Sequence, residues 1–203
     1  MGRIGLLICL LFWGIRLPAS DPAGRFKLSE PVQMRYQETR TLALLSEPWK
    51  GSGYLLADPS GTMVKLQLSP QRVIMVATPT RLLYFDSSSG ERHRIRLPTS
   101  MPQAEGIVLL RQLLQGNFQP IRGHYHIEYV EEGKNWSLQL LPKDPESAPF
   151  RKVSMHGDLE GNRQVLEIVE RDGDRSVTRM VLDARGDKLT YTIARLVQEA
   201  AGE

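Results

Sequence analysis

Residues 125–140, YHIEYVEEGKNWSLQL, contain two segments in which apolar and polar side chains alternate strictly. The two segments, 125–129 and 136–140, are separated by the turn-forming pair Glu132 and Gly133, and residues 64–68, VKLQL, show the same alternation. Because successive side chains of a strand point to opposite faces, this period of two predicts an antiparallel sheet with one apolar and one solvated face. The function then depends on what covers the apolar face.

The rest of the chain follows the same pattern, with short extended segments separated by Pro, Gly, Ser and Asp residues. Connections of this length join antiparallel neighbours and are too short for parallel crossovers. We predict a mainly β fold of about eleven strands, at 33–45, 51–57, 63–68, 72–78, 81–86, 91–97, 124–131, 135–141, 150–156, 164–170 and 176–182.

One segment changes period. Ile107, Leu110, Leu113 and Leu114 recur at three and four residues, and Gly116 with Asn117 follows, which predicts a helix over 105–115. A helix apolar around most of its circumference must be buried. It either covers a ligand cavity on the apolar face or fills that face as an ordinary core.

The C-terminal residues 188–203 fit two structures. Tyr191 between two threonines favours a strand, whereas Leu189, Ile193, Leu196 and Val197 have helical spacing. The sequence leaves this choice open.

The N-terminus resembles a secretory signal peptide. A short basic start is followed by an apolar core over residues 4–15 and by Arg16, with cleavage expected after Ser20 or Ala23. A retained N-terminal anchor is the alternative. We therefore predict a signal peptide over residues 1–20 and a single domain over 21–203.

The single cysteine, Cys9, lies inside this leader. A secreted domain without disulfides is more typical of the bacterial periplasm than of an animal extracellular protein. Removing Arg3 and Arg16 with the leader lowers the basic count from 26 to 24 against 23 acids, a net charge of +1. This near-neutrality argues against a nucleic-acid partner.

Two groups of polar residues invite a functional interpretation. His124, His126 and Glu128 share one strand face, which we expect to be the solvated face rather than a metal site. Arg92, Arg94 and Arg96 also share one face, as expected of an exposed or edge strand protected by charge, with a docking strip for anionic groups as the alternative.

No nucleophile elbow, zinc-binding helix or glycine-rich phosphate loop is recognisable in the sequence. We therefore expect no enzyme activity, no cofactor and no metal.

The order of landmarks along the chain resembles the LolA-like group of periplasmic carriers. In the first half they are 32–40 (VQMRYQETR), Glu47, Pro48, Gly51, Gly53, Pro70 and 83–86 (LYFD). In the second half they are the leucine-rich helix, Trp136, Leu138, Leu140, Pro142, Gly157, Glu167, Gly173 and Asp174. The resemblance covers nearly the whole chain after the leader.

This resemblance implies an unclosed antiparallel β-barrel whose apolar side holds acyl chains under a helical lid. It further implies a monomeric carrier that takes an acylated lipid or lipoprotein from an inner-membrane transporter and delivers it to an outer-membrane acceptor. The lipoprotein carrier of this group has an arginine before a proline at the end of its second strand, where this chain has Asp58 and Pro59. That departure favours a divergent member with another cargo or another release mechanism.

We predict that fourteen residues line the lipid-binding cavity: Tyr36, Trp49, Tyr54, Leu66, Leu68, Met75, Leu83, Phe85, Leu110, Leu113, Leu114, Trp136, Leu138 and Leu140. An alternative function on the same scaffold is a lipid sensor or adaptor that signals to a protein partner. A carrier exchanges lipid between membranes, whereas a sensor binds its receptor in one lipid state only.

Overall fold

The computed structural model describes residues 22–97 and 102–203. The predicted leader lies outside these residues. The strands are β1 (Val32–Thr41), β2 (Trp49–Ala57), β3 (Met63–Ser69), β4 (Val73–Ala77), β5 (Arg81–Asp86), β6 (Arg92–Arg96), β7 (Tyr125–Glu132), β8 (Asn135–Pro142), β9 (Phe150–Asp158), β10 (Arg163–Glu170) and β11 (Arg175–Arg185). The helices are α1 (Ala23–Phe26), α2 (Pro102–Leu114), α3 (Phe118–His124) and α4 (Lys188–Ala201).

The eleven strands of the described residues form one antiparallel sheet in the order β6-β5-β4-β3-β2-β1-β11-β10-β9-β8-β7. Two meanders, β1 to β6 and β7 to β11, are joined by the pairing of β1 with β11, in which Val32 lies opposite Arg185 and Thr41 opposite Arg175. Strands β6 and β7 are the two ends of the sheet, which is not closed into a barrel. The predicted fold class, a mainly β and unclosed antiparallel barrel with helices, is confirmed.

Helices α1, α2 and α3 pack on one face of the sheet, which we name the three-helix face. Phe26 of α1 packs edge-on against Trp136 with 4.9 Å between ring centroids, and Leu113 of α2 and Ile121 of α3 are buried in the same cluster. The strands contribute buried side chains to this cluster, among them Met34, Tyr36, Leu55, Met63, Leu138, Leu140, Met155 and Met180. The main hydrophobic core therefore lies on this face.

Helix α4 packs on the opposite face, which we name the α4 face. Its buried residues Leu189, Ile193, Leu196 and Ala200 recur at helical spacing. The last three pack on strand residues of a second cluster, Leu56, Val64, Ile74, Val76, Leu83 and Phe85. Gly202 ends the helix with φ of 76°, the left-handed conformation that glycine adopts without strain. The C-terminal segment, left open by the sequence, is thus helical.

The predicted strands agree with the observed ones apart from their ends, and the first strand stops at Thr41 instead of extending to residue 45. The predicted helix over 105–115 corresponds to α2. Helix α3 was not predicted. No helix within the described residues is long and apolar enough to cross a membrane.

Replacing Leu196, which is 2% exposed under α4, tests the packing of this helix. We expect Leu196→Ala to lower the free energy of unfolding by about 2–5 kcal/mol, because it leaves a cavity between α4 and the sheet. Tyr191 lies on the same helix but is 75% exposed, so Tyr191→Ala should change the free energy of unfolding by less than about 0.5 kcal/mol. Urea unfolding of both variants measures the difference, and equal losses would contradict the packing.

Candidate ligand-binding cavity

A cavity of about 970 Å³, which we name the main cavity, lies between the three-helix face, helix α2 and the segment 147–150 that leads into β9. Its apolar wall combines three sources. Met63 and Met75 come from β3 and β4, Ile107 and Leu110 from α2, and Leu166 and Ile168 from β10. Unbranched methionine side chains adapt to irregular apolar shapes. The main cavity therefore draws its wall from both meanders and from the helix predicted to cover them.

A second cavity of about 670 Å³ lies along another side of α2. It is lined by Val108, Leu109 and Arg111 of that helix and shares the segment 147–150 with the main cavity. Helix α2 is thus flanked by open space on two sides instead of being packed all round. An ordinary core helix is normally close-packed on its apolar faces. This arrangement therefore favours a helix that covers a ligand cavity over a helix that fills the face as an ordinary core.

Three charged residues, Glu38, Arg40 and Lys65, form an ion cluster in the wall of the main cavity. Lys65 Nζ donates to Glu38 Oε2 at 2.5 Å, and Arg40 Nε donates to Glu38 Oε1 at 2.6 Å. Glu38 is only 4% exposed, and the side chains of Lys65 and Arg40 are 15% and 43% exposed. A buried carboxylate of this kind persists only because both of its oxygens accept from a cation.

Aromatic rings support both cations of the cluster. Lys65 Nζ lies 5.1 Å from the centroid of the Tyr36 ring, and the Arg40 guanidinium lies 5.2 Å from that of Trp49. The Trp49 indole in turn lies over Gly51, where an added Cβ would collide with it. Such cation–π contacts fix the two side chains in place.

The charge state of the cluster follows from its surroundings. Burial acts to raise the pKa of Glu38, but Lys65 and Arg40 more than offset it, so the pKa lies below its ordinary value. Burial lowers the pKa of Lys65, against the opposing effect of Glu38. Glu38 has two cationic partners, which hold its carboxyl group in the ionised form. Burial also raises the pKa of the Tyr36 hydroxyl, which stays neutral.

Nine of the fourteen predicted cavity residues belong to the three-helix face or to α2. Met75 and Leu110 line the main cavity. Trp49 packs on Arg40 beside it. The others are buried in the core of this face: Tyr36, Leu113, Leu114, Trp136, Leu138 and Leu140. Their role in lipid binding stays a prediction.

Four of the other five residues, Tyr54, Leu66, Leu83 and Phe85, pack in the cluster under α4, on the face opposite the main cavity. The fifth, Leu68, is 48% exposed and does not line the main cavity. The reason is that β2 to β5 carry apolar residues on both faces, because α4 covers the face that was expected to be solvated. Where both faces are apolar, alternation does not identify the cavity side.

The ion cluster was not predicted from the sequence. One signal was present: Glu38 and Arg40 continue the alternation of Met34 and Tyr36, so charged residues occupy the apolar side of β1. The pairing with Lys65 depends on contact across strands, which the sequence alone does not supply.

The predicted strand over residues 124–131 begins one residue later, because His124 is the last residue of α3. His124, His126 and Glu128 are exposed, and no group of three or more His, Cys, Asp or Glu residues in the described part of the chain could hold a metal ion. Arg92, Arg94 and Arg96 are exposed on the edge strand β6. Arg94 donates to the carbonyl oxygen of Ala201 at 3.0 Å, where the end of a helix favours a cation.

Glu38→Gln tests the charge state of the ion cluster. At neutral pH we expect a loss of about 3–5 kcal/mol in unfolding free energy, because Lys65 loses its buried counter-charge. The pKa of Glu38 is lower folded than unfolded, so its stabilisation is fully present above the ordinary glutamate pKa and disappears as the pH falls through the folded value. The variant should therefore lose less stability than the wild type between neutral and acidic pH.

Urea unfolding measured across this pH range, with the exposed Glu128→Gln as the matched control, checks both effects. An unchanged pH dependence in Glu38→Gln would contradict the assigned ion pairs.

No protein family model and no curated protein matches this sequence. Among solved structures, the chain is similar to a LolA superfamily protein from Nitrosomonas europaea, with 14% identity over 82% of this chain and 93% of that chain and a TM-score of 0.42. It is also similar to an uncharacterized conserved protein from Thermus thermophilus, with 12% identity, coverage of 79% of this chain and 81% of that chain, and a TM-score of 0.46.

A third similar structure is a putative outer membrane lipoprotein-sorting protein domain from Vibrio parahaemolyticus, with 8% identity, coverage of 80% of this chain and 88% of that chain, and a TM-score of 0.41.

Proposed function

We propose that this protein is a periplasmic carrier that holds the acyl chains of a lipid or lipoprotein in the main cavity and moves them from the inner toward the outer membrane. The observation that carries the proposal is the main cavity itself, about 970 Å³ with walls from Met63, Met75, Leu110, Leu166 and Ile168. Ligand pockets of proteins measure about 300–1,000 Å³, so its size suits a ligand.

The energetics of an acyl chain suit this wall. Burying one methylene gains about 0.8 kcal/mol, so a chain of moderate length binds without a specific polar contact. A long chain can be bound in a groove formed by a sheet and a helix, with α2 acting as the cover. The proposal requires no covalent step and no cofactor.

The cellular setting follows from the leader. A secretory signal over residues 1–20 would deliver a monomeric domain, residues 21–203, to the periplasm. Its partners there would be an inner-membrane transporter and an outer-membrane acceptor, and its contact with either membrane would be transient. Asp58 in place of arginine before Pro59 leaves the cargo open among lipoproteins, glycolipids and acylated pigments.

Native mass spectrometry of the protein purified from bacterial periplasm tests the proposal directly. We expect a stoichiometric adduct that organic extraction identifies as an acylated molecule. A bare mass together with no uptake of a fluorescent fatty acid would refute the carrier. Lipid binding without transfer between donor and acceptor vesicles would favour the sensor over the carrier.

A substitution that fills the main cavity tests whether the acyl chain of the ligand binds there. Met75 lines the main cavity on β4. The larger side chain of Met75→Trp should fill space that the acyl chain of the ligand would occupy, and so weaken the affinity for a fluorescent fatty acid at least about tenfold. Leu68→Trp is the matched control, because Leu68 on the neighbouring strand is half-exposed and does not line the main cavity. Displacement titrations give both dissociation constants. Equal affinities in the two variants would move the site away from the main cavity.

A further inference from the structure

The ion cluster in the main cavity holds more hydrogen-bond donors than acceptors. The Lys65 ammonium carries three donors and the Arg40 guanidinium five, whereas the acceptor that they share within the described residues is the Glu38 carboxylate. One donor of each cation goes to that carboxylate, and among the described residues no further partner of Lys65 Nζ or of the Arg40 Nη atoms is found. Unused donors beside a cavity favour a ligand that brings acceptors.

The Tyr36 hydroxyl adds to this excess. It is buried and has no hydrogen-bond partner within residues 22–97 and 102–203, although its ring lies against the Lys65 ammonium. A buried hydroxyl without a partner costs free energy comparable to a lost hydrogen bond. This hydroxyl can donate to an acceptor that a ligand brings.

The charges also favour an acceptor that is negative. Arg40 and Lys65 together exceed Glu38 by one positive charge in a region where Lys65 is largely shielded from solvent. Glu170, Arg171 and Asp172 line the same cavity and sum to one negative charge, and Glu170 attracts Arg40, but all three are exposed. Water and salt screen exposed charges more strongly than buried ones, so the buried cation dominates near Lys65.

Apolar side chains lie next to the cluster. Met75 is the register partner of Lys65 on the adjacent strand, and Met63 lies two residues before it on the same face. Leu110 of α2 lines the same cavity. A molecule that places oxygens at Lys65 and Arg40 therefore has an apolar wall for the rest of its length.

We propose that Lys65 and Arg40, held in place by Glu38, anchor the anionic oxygen head of an acyl ligand, a carboxylate or a phosphate ester, whose chain lies against Met63, Met75 and Leu110. This inference rests on the proposed function, since it assigns a polar end to the same cavity. A purely structural ion cluster would stabilise the fold without distinguishing one head from another.

Head selectivity is the measurement that separates the two roles. The ligands share one chain and differ in the head: tetradecanoate, tetradecyl phosphate, tetradecanol and tetradecyltrimethylammonium, each titrated below its critical micelle concentration. Charge-assisted hydrogen bonds to a buried head lead us to expect that the wild type binds at least one anion about tenfold tighter than the alcohol. Which of the two anions is preferred identifies the head as carboxylate or phosphate.

Arg40→Gln is the first variant, because the Arg40 side chain is partly exposed and its loss leaves the Glu38–Lys65 pair intact. We expect the ratio of anion to alcohol affinity to fall toward one, because the loss of a cationic partner weakens anion binding more than alcohol binding. Arg35→Gln, at an exposed position of the same strand, is the matched control and should keep the ratio. Lys65→Gln, with folding verified by circular dichroism, is the second variant.

Each outcome decides between the proposals. If both Arg40→Gln and Lys65→Gln keep the wild-type ratio, or if the wild type binds all four ligands equally, the anchor is refuted while chain binding stands. Preference for the ammonium ligand would also refute the anchor and assign the selectivity to the acidic residues Glu170 and Asp172. If none of the four ligands binds, the proposed function fails together with the anchor.

Discussion

The pairing of β1 with β11 is the contact on which the rest of the structure depends, because it is where the two meanders become one sheet. Every other strand pair within the described residues joins strands that are neighbours in sequence. The pairing of β1 with β11 instead brings together two segments that are separated by most of the chain. The pairing places Glu38 opposite Thr178 and Arg40 opposite Ser176. All four residues line the main cavity. The cavity therefore exists only when the two meanders are joined.

The local part of the fold could be predicted because hairpins are encoded by neighbouring residues. Alternation and turn residues placed the strands, and helical spacing placed α2. Helix α3 was not predicted because its seven residues include Pro120 and Gly123, which disfavour a helix. Burial of Phe118 and Ile121 stabilises it. The sequence left helix α4 ambiguous because Tyr191 between two threonines favours a strand. In the structure Tyr191 is exposed on the helix and does not contribute to its packing.

The candidate site was harder to predict, since it depends on which face each strand turns to the cavity. The sequence placed Trp136, Leu138 and Leu140 on the apolar face of the sheet, because the alternate residues of β8 are more polar. On β3 the apolar residues Leu66 and Leu68 were assigned to the cavity, whereas the charged Lys65 is the residue that lines it. The rule that apolar side chains face an apolar cavity failed there because a second helix covers the other face.

Lys65 also shows why the ion cluster calls for a role beyond stability. Replacing a buried ion pair by well-packed apolar residues is often neutral or stabilising, so Glu38 and Lys65 contribute little that two apolar side chains would not. An apolar pair at these positions would extend the wall formed by Met63 and Met75 and remove the buried ion pair from it. With the cluster, the wall contains a largely buried charged region, whereas its other charged residues, Glu170, Arg171 and Asp172, are exposed. A long amphiphilic ligand in such a cavity has one favoured direction, and a carrier that must present its cargo to a membrane needs that direction fixed.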